Sequence, residues 1–201
     1  MLIIGLTGPS GSGKTTLCDI AKEMNVESID ADKVYHALLV PPSPCLDELV
    51  ESFGDDILTP DGTLDRAVLG RIVFSDETKK KLSLLNRITH KYVKARFREL
   101  LAEYKAKNER VVIIDAPTLF ESGFDSECTI TVALLSDEKL RRERIISRDA
   151  LSVERANARL SAQKSDEFFI SRANYTLYND GDTDSLSKAF RKILIENGGI
   201  L

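Results

Sequence analysis

Residues 8–15 read Gly8-Pro9-Ser10-Gly11-Ser12-Gly13-Lys14-Thr15, between an apolar run, Leu2-Ile3-Ile4-Gly5-Leu6, and an amphipathic stretch from Lys14 to Met24. A glycine-rich turn ending in Lys-Thr at a strand-to-helix junction suits one physical task. Its backbone N–H groups converge on phosphate oxygens, and the start of the helix adds positive potential. In that arrangement the backbone from Gly8 through Gly11, Ser12 and Gly13 forms the cradle. Lys14 reaches the β- and γ-phosphates of a nucleotide, and the Thr15 hydroxyl ligates Mg²⁺. A loop of this kind requires a strand before it and a helix after it, so the chain must be α/β.

The remaining pattern agrees. Val111-Val112-Ile113-Ile114 and Thr129 to Leu134 are short apolar runs of the kind found in buried parallel strands. Val26 to Ile29 and Tyr175 to Tyr178 are weaker examples, which makes five strands in all. Lys14 to Met24 is the crossover helix of a βαβ unit. Tyr35 to Asn108 is too long for one crossover and is expected to form a helical insertion at the edge of the sheet. Within it, Pro41-Pro42-Ser43-Pro44 ends a helix and Pro60-Asp61-Gly62 makes a turn. Leu82, Leu85, Ile88, Tyr92, Val93, Phe97, Leu100, Leu101 and Tyr104 form an apolar stripe that predicts a long helix from Asp76, capped by Ser75. Ser136-Asp137-Glu138 opens a further helix, and the last helix is expected from Ser185 to Glu196, stopped by Asn197-Gly198-Gly199.

Two acidic positions bear on chemistry. Asp30-Ala31-Asp32 follows the second strand, at the sheet edge where α/β proteins bind ligands. Asp32 there is either a base for an attacking hydroxyl or the N-cap of the next helix. Asp115 ends the Val111 strand in the manner of a carboxylate that reaches Mg²⁺.

Charge is unevenly distributed. With 28 Lys+Arg against 32 Asp+Glu the chain carries a formal charge of −4, which argues against a surface built to coat nucleic acid or an anionic membrane. Yet Glu138 to Lys164 holds eight basic residues (Lys139, Arg141, Arg142, Arg144, Arg148, Arg155, Arg159, Lys164) and four acids (Glu138, Glu143, Asp149, Glu154), a local +4. Arg144 and Arg148 share a helix face, as do Arg155 and Arg159, with Ser152 as the cap between two helices. Such a segment is either a lid that closes over a triphosphate and brings guanidinium to the transferring group, or a solvated face paired with Glu143 and Glu154.

The three cysteines are odd in number and widely spaced, which fits free thiols in a reducing cytoplasm, and nothing approaches a membrane span. Met1 to Leu6 reads as a strand rather than an export signal, so a cytoplasmic location is expected. His36 and His90 have no partner pattern and are given no chemical role. An N-K-x-D run and a D-x-x-G after the Val111 strand are both missing from the sequence, which disfavours a GTP-dependent switch protein. A kinase acting on a nucleoside, nucleotide or metabolite stays open on these residues alone.

In order along the chain, GLTGPSGSGKTT, SIDADKVYH, DGTLDRAVLGRIVF, ITH, VVIIDAPTLFESG, RERIISRD, ARLSAQ and YNDG resemble the dephospho-coenzyme A kinase family from Leu2 to about Gly181. The resemblance implies a three-layer P-loop kinase fold: a parallel sheet core (about 1–34, 109–136 and 173–201), a helical acceptor-binding insertion (about 35–108) and a helical lid (about 137–172). It implies transfer of the γ-phosphoryl group of ATP to the ribose 3′-hydroxyl of dephospho-coenzyme A, the last step of coenzyme A synthesis. By position it places Gly11 to Thr16 on ATP, makes Asp32 the base, and puts Arg144 and Arg148 in the lid. Asn179 to Gly181 then lie beside the adenine, with Arg66, Phe120 and Glu121 near the acceptor. Three positions depart from the family's usual residues. Lys91 stands in place of a proline and should let its helix continue, Thr118 replaces a leucine, and Tyr178 replaces an acid.

Overall fold

The computed structural model describes residues 1–199. These divide into two compact units, residues 1–30 with 104–199 and residues 31–103.

The first unit is built on five parallel strands, β1 (Leu2–Thr7), β2 (Glu27–Asp30), β3 (Val111–Asp115), β4 (Ile130–Leu135) and β5 (Tyr175–Tyr178), in the order β2-β3-β1-β4-β5. All five expected strands are present, and the central three are apolar because parallel strands are covered on both faces. Register places Leu6 opposite Asp115 and Asp30 opposite Asp115 on its other side, so β1, β2 and β3 end level with one another. Helix α1 (Lys14–Glu23) crosses from β1 to β2 and buries Leu17, Ile20 and Ala21 against Ile4, Leu6 and Ile113. The C-terminal helix adds Leu186, Phe190, Ile193 and Leu194 to the same core. A second, smaller core joins Ala133 and Leu135 of β4 to Phe169, flanked by Phe120 and Phe168.

The second unit is helical: α2 (Ala31–Ala37), α3 (Pro44–Phe53), α4 (Arg66–Phe74) and most of α5 (Lys80–Ala106). Ser43 caps α3 by accepting from Leu46 N–H at 3.2 Å, with Pro44 in the first turn where its missing N–H costs nothing. Pro60-Asp61-Gly62 turns the chain between Leu58 and Leu64, which form an antiparallel bridge. Asp65 caps α4 by accepting from Ala67 and Val68 N–H, both at 2.9 Å. Helix α5 passes Lys91 without interruption, and Lys91 bonds Glu48 of α3 at 2.7 Å.

Two helix starts differ from expectation. Ser75 ends α4, its N–H bonded to Arg71 O at 3.0 Å, instead of starting the next helix. Asp76 takes the starting role, its carboxylate accepting from Thr78 N–H at 3.1 Å and Lys81 N–H at 2.8 Å, because a carboxylate reaches two amides that a serine hydroxyl does not. Likewise the last helix, α9 (Thr183–Glu196), begins two residues before Ser185, since Asp182 accepts from both Asp184 and Ser185 N–H.

Candidate active site

The site begins with the loop between β1 and α1. Gly11 has φ 80° and Gly13 φ 93°, left-handed values that other residues adopt only with strain. Space makes the same demand: a Cβ on Gly11 would lie 2.6 Å from Arg141 O, and one on Gly13 would lie 2.0 Å from Asn179 Nδ2.

Side chains engage three carbonyls of this loop. Lys14 Nζ donates to Gly8 O at 3.0 Å, Arg144 Nη1 donates to Gly11 O at 3.1 Å, and Asn179 Nδ2 donates to Ser12 O at 2.9 Å. Three loop carbonyls are thereby turned toward protein donors. Carbonyls taken up by protein donors are kept from facing an anion, which is the polarity a phosphate-binding loop requires. Ser10 N–H is engaged as well, donating to Gln163 Oε1 at 2.8 Å.

Arg144, Asn179 and Gln163 come from the chain after β4 and β5, strands that follow β1 in the sheet. Helices α6 (Glu138–Asp149), α7 (Val153–Ser161) and α8 (Asp166–Ile170) follow β4. Asp137 caps α6 by accepting from Lys139 N–H at 2.8 Å, and Ser152 caps α7 at the expected position. Arg144, half-buried, also donates to Ser136 Oγ and Asn179 O, both at 3.0 Å. Asn179 is 3% exposed and extends the sheet ladder through its N–H to Leu135 O at 2.8 Å. Arg144 and Asn179 are therefore one structure with the loop, each satisfying a polar group that burial would otherwise penalise.

Arg148 is exposed and behaves differently. Its guanidinium makes a two-pronged pair with Asp149 at 2.8 and 2.9 Å, and Arg159 of α7 bonds the same carboxylate. Those hydrogen bonds, Arg148's first, hold the Asp149 carboxyl down at about 2. Arg141, nearly buried, faces Asp166 at 3.7 Å. The acids that pair with this basic segment are thus Asp149 and Asp166, where the sequence suggested Glu143 and Glu154.

Thr15 and Asp115 offer a hydroxyl and a carboxylate, hard oxygen donors suited to Mg²⁺. Thr15 is exposed in the first turn of α1, and Asp115 ends β3 beside the strand that feeds the loop. Cys18, one turn further along α1, is driven up to about 12 by burial, reinforced by the Asp115 charge, so its thiol is not a nucleophile. Gly181, φ 110°, follows Asn179 on the exposed turn before α9. Phe120 and Glu121 lie in the turns after β3, where Phe120 packs edge-on to Phe168 with centroids 6.2 Å apart; Lys164 and Arg172 lie over the Phe168 ring at 5.3 and 4.1 Å.

In the helical unit Asp32 is exposed and is the second residue of α2, so it lies inside the helix and not at its N-cap. Arg66 opens α4, and its guanidinium bonds His36 Nδ1 of α2. Since arginine can only donate, His36 presents Nδ1 as an acceptor and carries its proton on Nε2. Sequence reasoning gave His36 no role, and a lone histidine without a spaced partner carries no signal for this contact. Gln163 was legible only as a letter in ARLSAQ.

A five-stranded parallel sheet flanked by helices, with a side-chain-clamped glycine loop between the first strand and first helix, is the fold of P-loop kinases. The chain is similar over 97% of its length to a Thermus thermophilus structure, TT1252, at TM-score 0.80 and 29% identity, and covers 97% of that chain. It is similar to the dephospho-CoA kinase of Campylobacter jejuni at TM-score 0.69 and 27% identity, over 98% of both chains. The dephospho-CoA kinase of Lactobacillus johnsonii is 37% identical over 195 residues, 97% of this chain and 98% of that one. The sequence profile of the dephospho-CoA kinase family matches residues 2–185. The chain belongs to the dephospho-CoA kinase family.

Proposed function

We propose that this chain transfers the γ-phosphoryl group of ATP to the ribose 3′-hydroxyl of dephospho-coenzyme A, giving coenzyme A and ADP. The observation that carries this reading is the family match over residues 2–185, which includes the clamped loop, Asp32, Arg66 and the Phe120–Glu121 pair alike. This reading sets the work in the cytoplasm on small-molecule substrates, with neither nucleic acid nor a membrane as partner. Among the described residues no helix is long and apolar enough to cross a membrane.

Phosphoryl transfer depends on position and charge stabilisation more than on covalent chemistry by the protein. The amides from Gly11 to Thr16, with Gly8 at the strand end and the α1 N-terminus behind, bind the phosphates. Lys14 bridges the β- and γ-phosphates by leaving the Gly8 carbonyl, and its ammonium stabilises charge that develops on the transferring group. Arg144 keeps the loop in shape, and its guanidinium lies one helical turn from Arg148. Arg148 reaches the phosphates by exchanging the Asp149 carboxylate for a phosphate oxygen, a trade of one bidentate partner for another. The segment 137–172 thereby serves as a lid. Thr15 and Asp115 would hold Mg²⁺, which neutralises phosphate charge when bound. The backbone from Asn179 to Gly181 borders the adenine.

On the acceptor side, Asp32 accepts the proton of the 3′-hydroxyl, Arg66 binds anionic acceptor groups, and Phe120 with Glu121 lines the acceptor pocket. The test is ADP release with ATP and Mg²⁺ across a panel of acceptors. Dephospho-coenzyme A should be used with a kcat/KM at least a hundredfold above adenosine, AMP or shikimate. Comparable turnover of any of these would redirect the acceptor assignment.

A further inference from the structure

We propose that Gln163 is a positioning residue for the nucleotide loop, acting through the Ser10 amide; this deepens the kinase reading above and rests on it. Gln163 stands two residues beyond α7, and its Oε1 accepts Ser10 N–H at 2.8 Å across 153 residues of sequence. Lys14, Arg144 and Asn179 all donate to loop carbonyls, whereas Gln163 accepts from a loop amide.

The consequence lies in the dipeptide between two of these contacts. Ser10 N–H and Pro9 C=O share one peptide plane, and both groups are engaged, the N–H by Gln163 and the carbonyl by Ser12 N–H at 3.2 Å, while Arg144 holds the Gly11 C=O two planes further on. Between them lies the Ser10–Gly11 plane, which carries the Gly11 N–H, and Gly11 sits at φ 80°, a left-handed value that glycine adopts without strain. The two contacts hold the planes on either side of the Gly11 amide before any phosphate arrives, which limits the rearrangement the loop needs to present its dipoles to an anion. They also come from separate elements, Arg144 from α6 and Gln163 from beyond α7, so the shape of the loop depends on where α7 lies.

Ending α7 does not require this side chain. Ala162 N–H bonds Ala158 O at 3.1 Å and Gln163 N–H bonds Leu160 O at 3.1 Å, so backbone alone closes the helix. The residue type also matters: an amide accepts the Ser10 proton without charge, while a carboxylate there would repel the phosphates the loop binds.

The experiment compares Gln163→Met and Gln163→Glu with wild type by Ser10 amide exchange in NMR, by ATP titration, and by KM for each substrate. Gln163→Met keeps length and loses the acceptor. Its Ser10 amide should exchange at least tenfold faster, with ATP affinity falling about fivefold, the value of one net hydrogen bond, and the KM for ATP following. The KM for dephospho-coenzyme A should stay within twofold. Gln163→Glu keeps an acceptor, so Ser10 should stay protected while ATP binding weakens in a manner that added salt relieves.

Unchanged ATP affinity in Gln163→Met, or an equal rise in both KM values, would overturn the proposal. If Gln163→Met does not fold, the Gln163→Glu protein decides: rapid Ser10 exchange, or ATP loss indifferent to salt, overturns it. A wild-type protein that does not phosphorylate dephospho-coenzyme A sinks the kinase reading, while ATP titration and Ser10 exchange still judge Gln163.

Discussion

The side-chain amide of Asn179 occupies the space that a Cβ on Gly13 would need, 2.0 Å away, and from there it donates to Ser12 O at 2.9 Å. Gly13→Ala therefore meets both a strained φ of 93° and displacement of a buried hydrogen bond. A loss of about 2 kcal/mol or more is expected in the denaturant midpoint, with ATP affinity down at least tenfold. Asn179→Ala should cost about 1–3 kcal/mol by leaving the Ser12 carbonyl without its donor. Wild-type midpoints for both variants would show that the clamp contributes little to holding the loop.

Lys14 is expected to act through charge on the transferring phosphoryl group. Lys14→Ala should lower kcat by about two orders of magnitude or more, the effect of removing one electrostatic contact worth about 3 kcal/mol in the transition state. Because Lys14 Nζ also bonds Gly8 O, thermal unfolding must be run beside the kinetics. Near-normal turnover in a folded Lys14→Ala protein removes it from the mechanism.

Asp32 lies within α2 and not at its cap, so Asp32→Asn should leave stability nearly unchanged. If Asp32 takes the hydroxyl proton, kcat falls about 10²- to 10⁴-fold with ATP affinity retained. Asp30→Asn, measured in parallel, distinguishes the two carboxylates. An equal or larger turnover loss at Asp30 transfers the base role to that residue.

Acid titration tests the Asp149 pair. Its folded value of about 2 lies below the ordinary 3.8, so its contribution to stability is present above about 3.8 and is lost as pH falls toward 2. Between pH 5 and pH 3 the urea midpoint of wild type should fall more steeply than that of Asp149→Asn. Parallel slopes would mean that the Arg148 and Arg159 contacts do not persist in solution.

Much of this was legible in the chain. The five strands, the loop and the cap at Ser152 follow from short-range patterns: apolar runs, glycines at a strand-to-helix junction, and polar residues before amphipathic stretches. At Ser75 and Asp76 the pattern chose the hydroxyl as cap, and at the last helix it placed the start at Ser185, two residues late. The fold chose the carboxylate, which reaches more of the orphan amides.

The sequence by itself determined that a phosphate-binding loop sits between a strand and a helix in an α/β chain, because that information is local and depends on residues within a few positions of one another. Only the tertiary structure decided which side chains shape the loop. Arg144, Gln163 and Asn179 stand 133, 153 and 167 residues from their loop partners. They meet it because β4 lies beside β1 and β5 beside β4, which brings the segments after those strands to the same sheet edge. Strand order is set by packing over the whole core, and no local period records it. Sequence places Asn179 beside the adenine only through resemblance and leaves the arginines of the basic segment between a lid and a solvated face, whereas the sheet sets Arg144 and Asn179 each against a loop carbonyl that accepts its N–H.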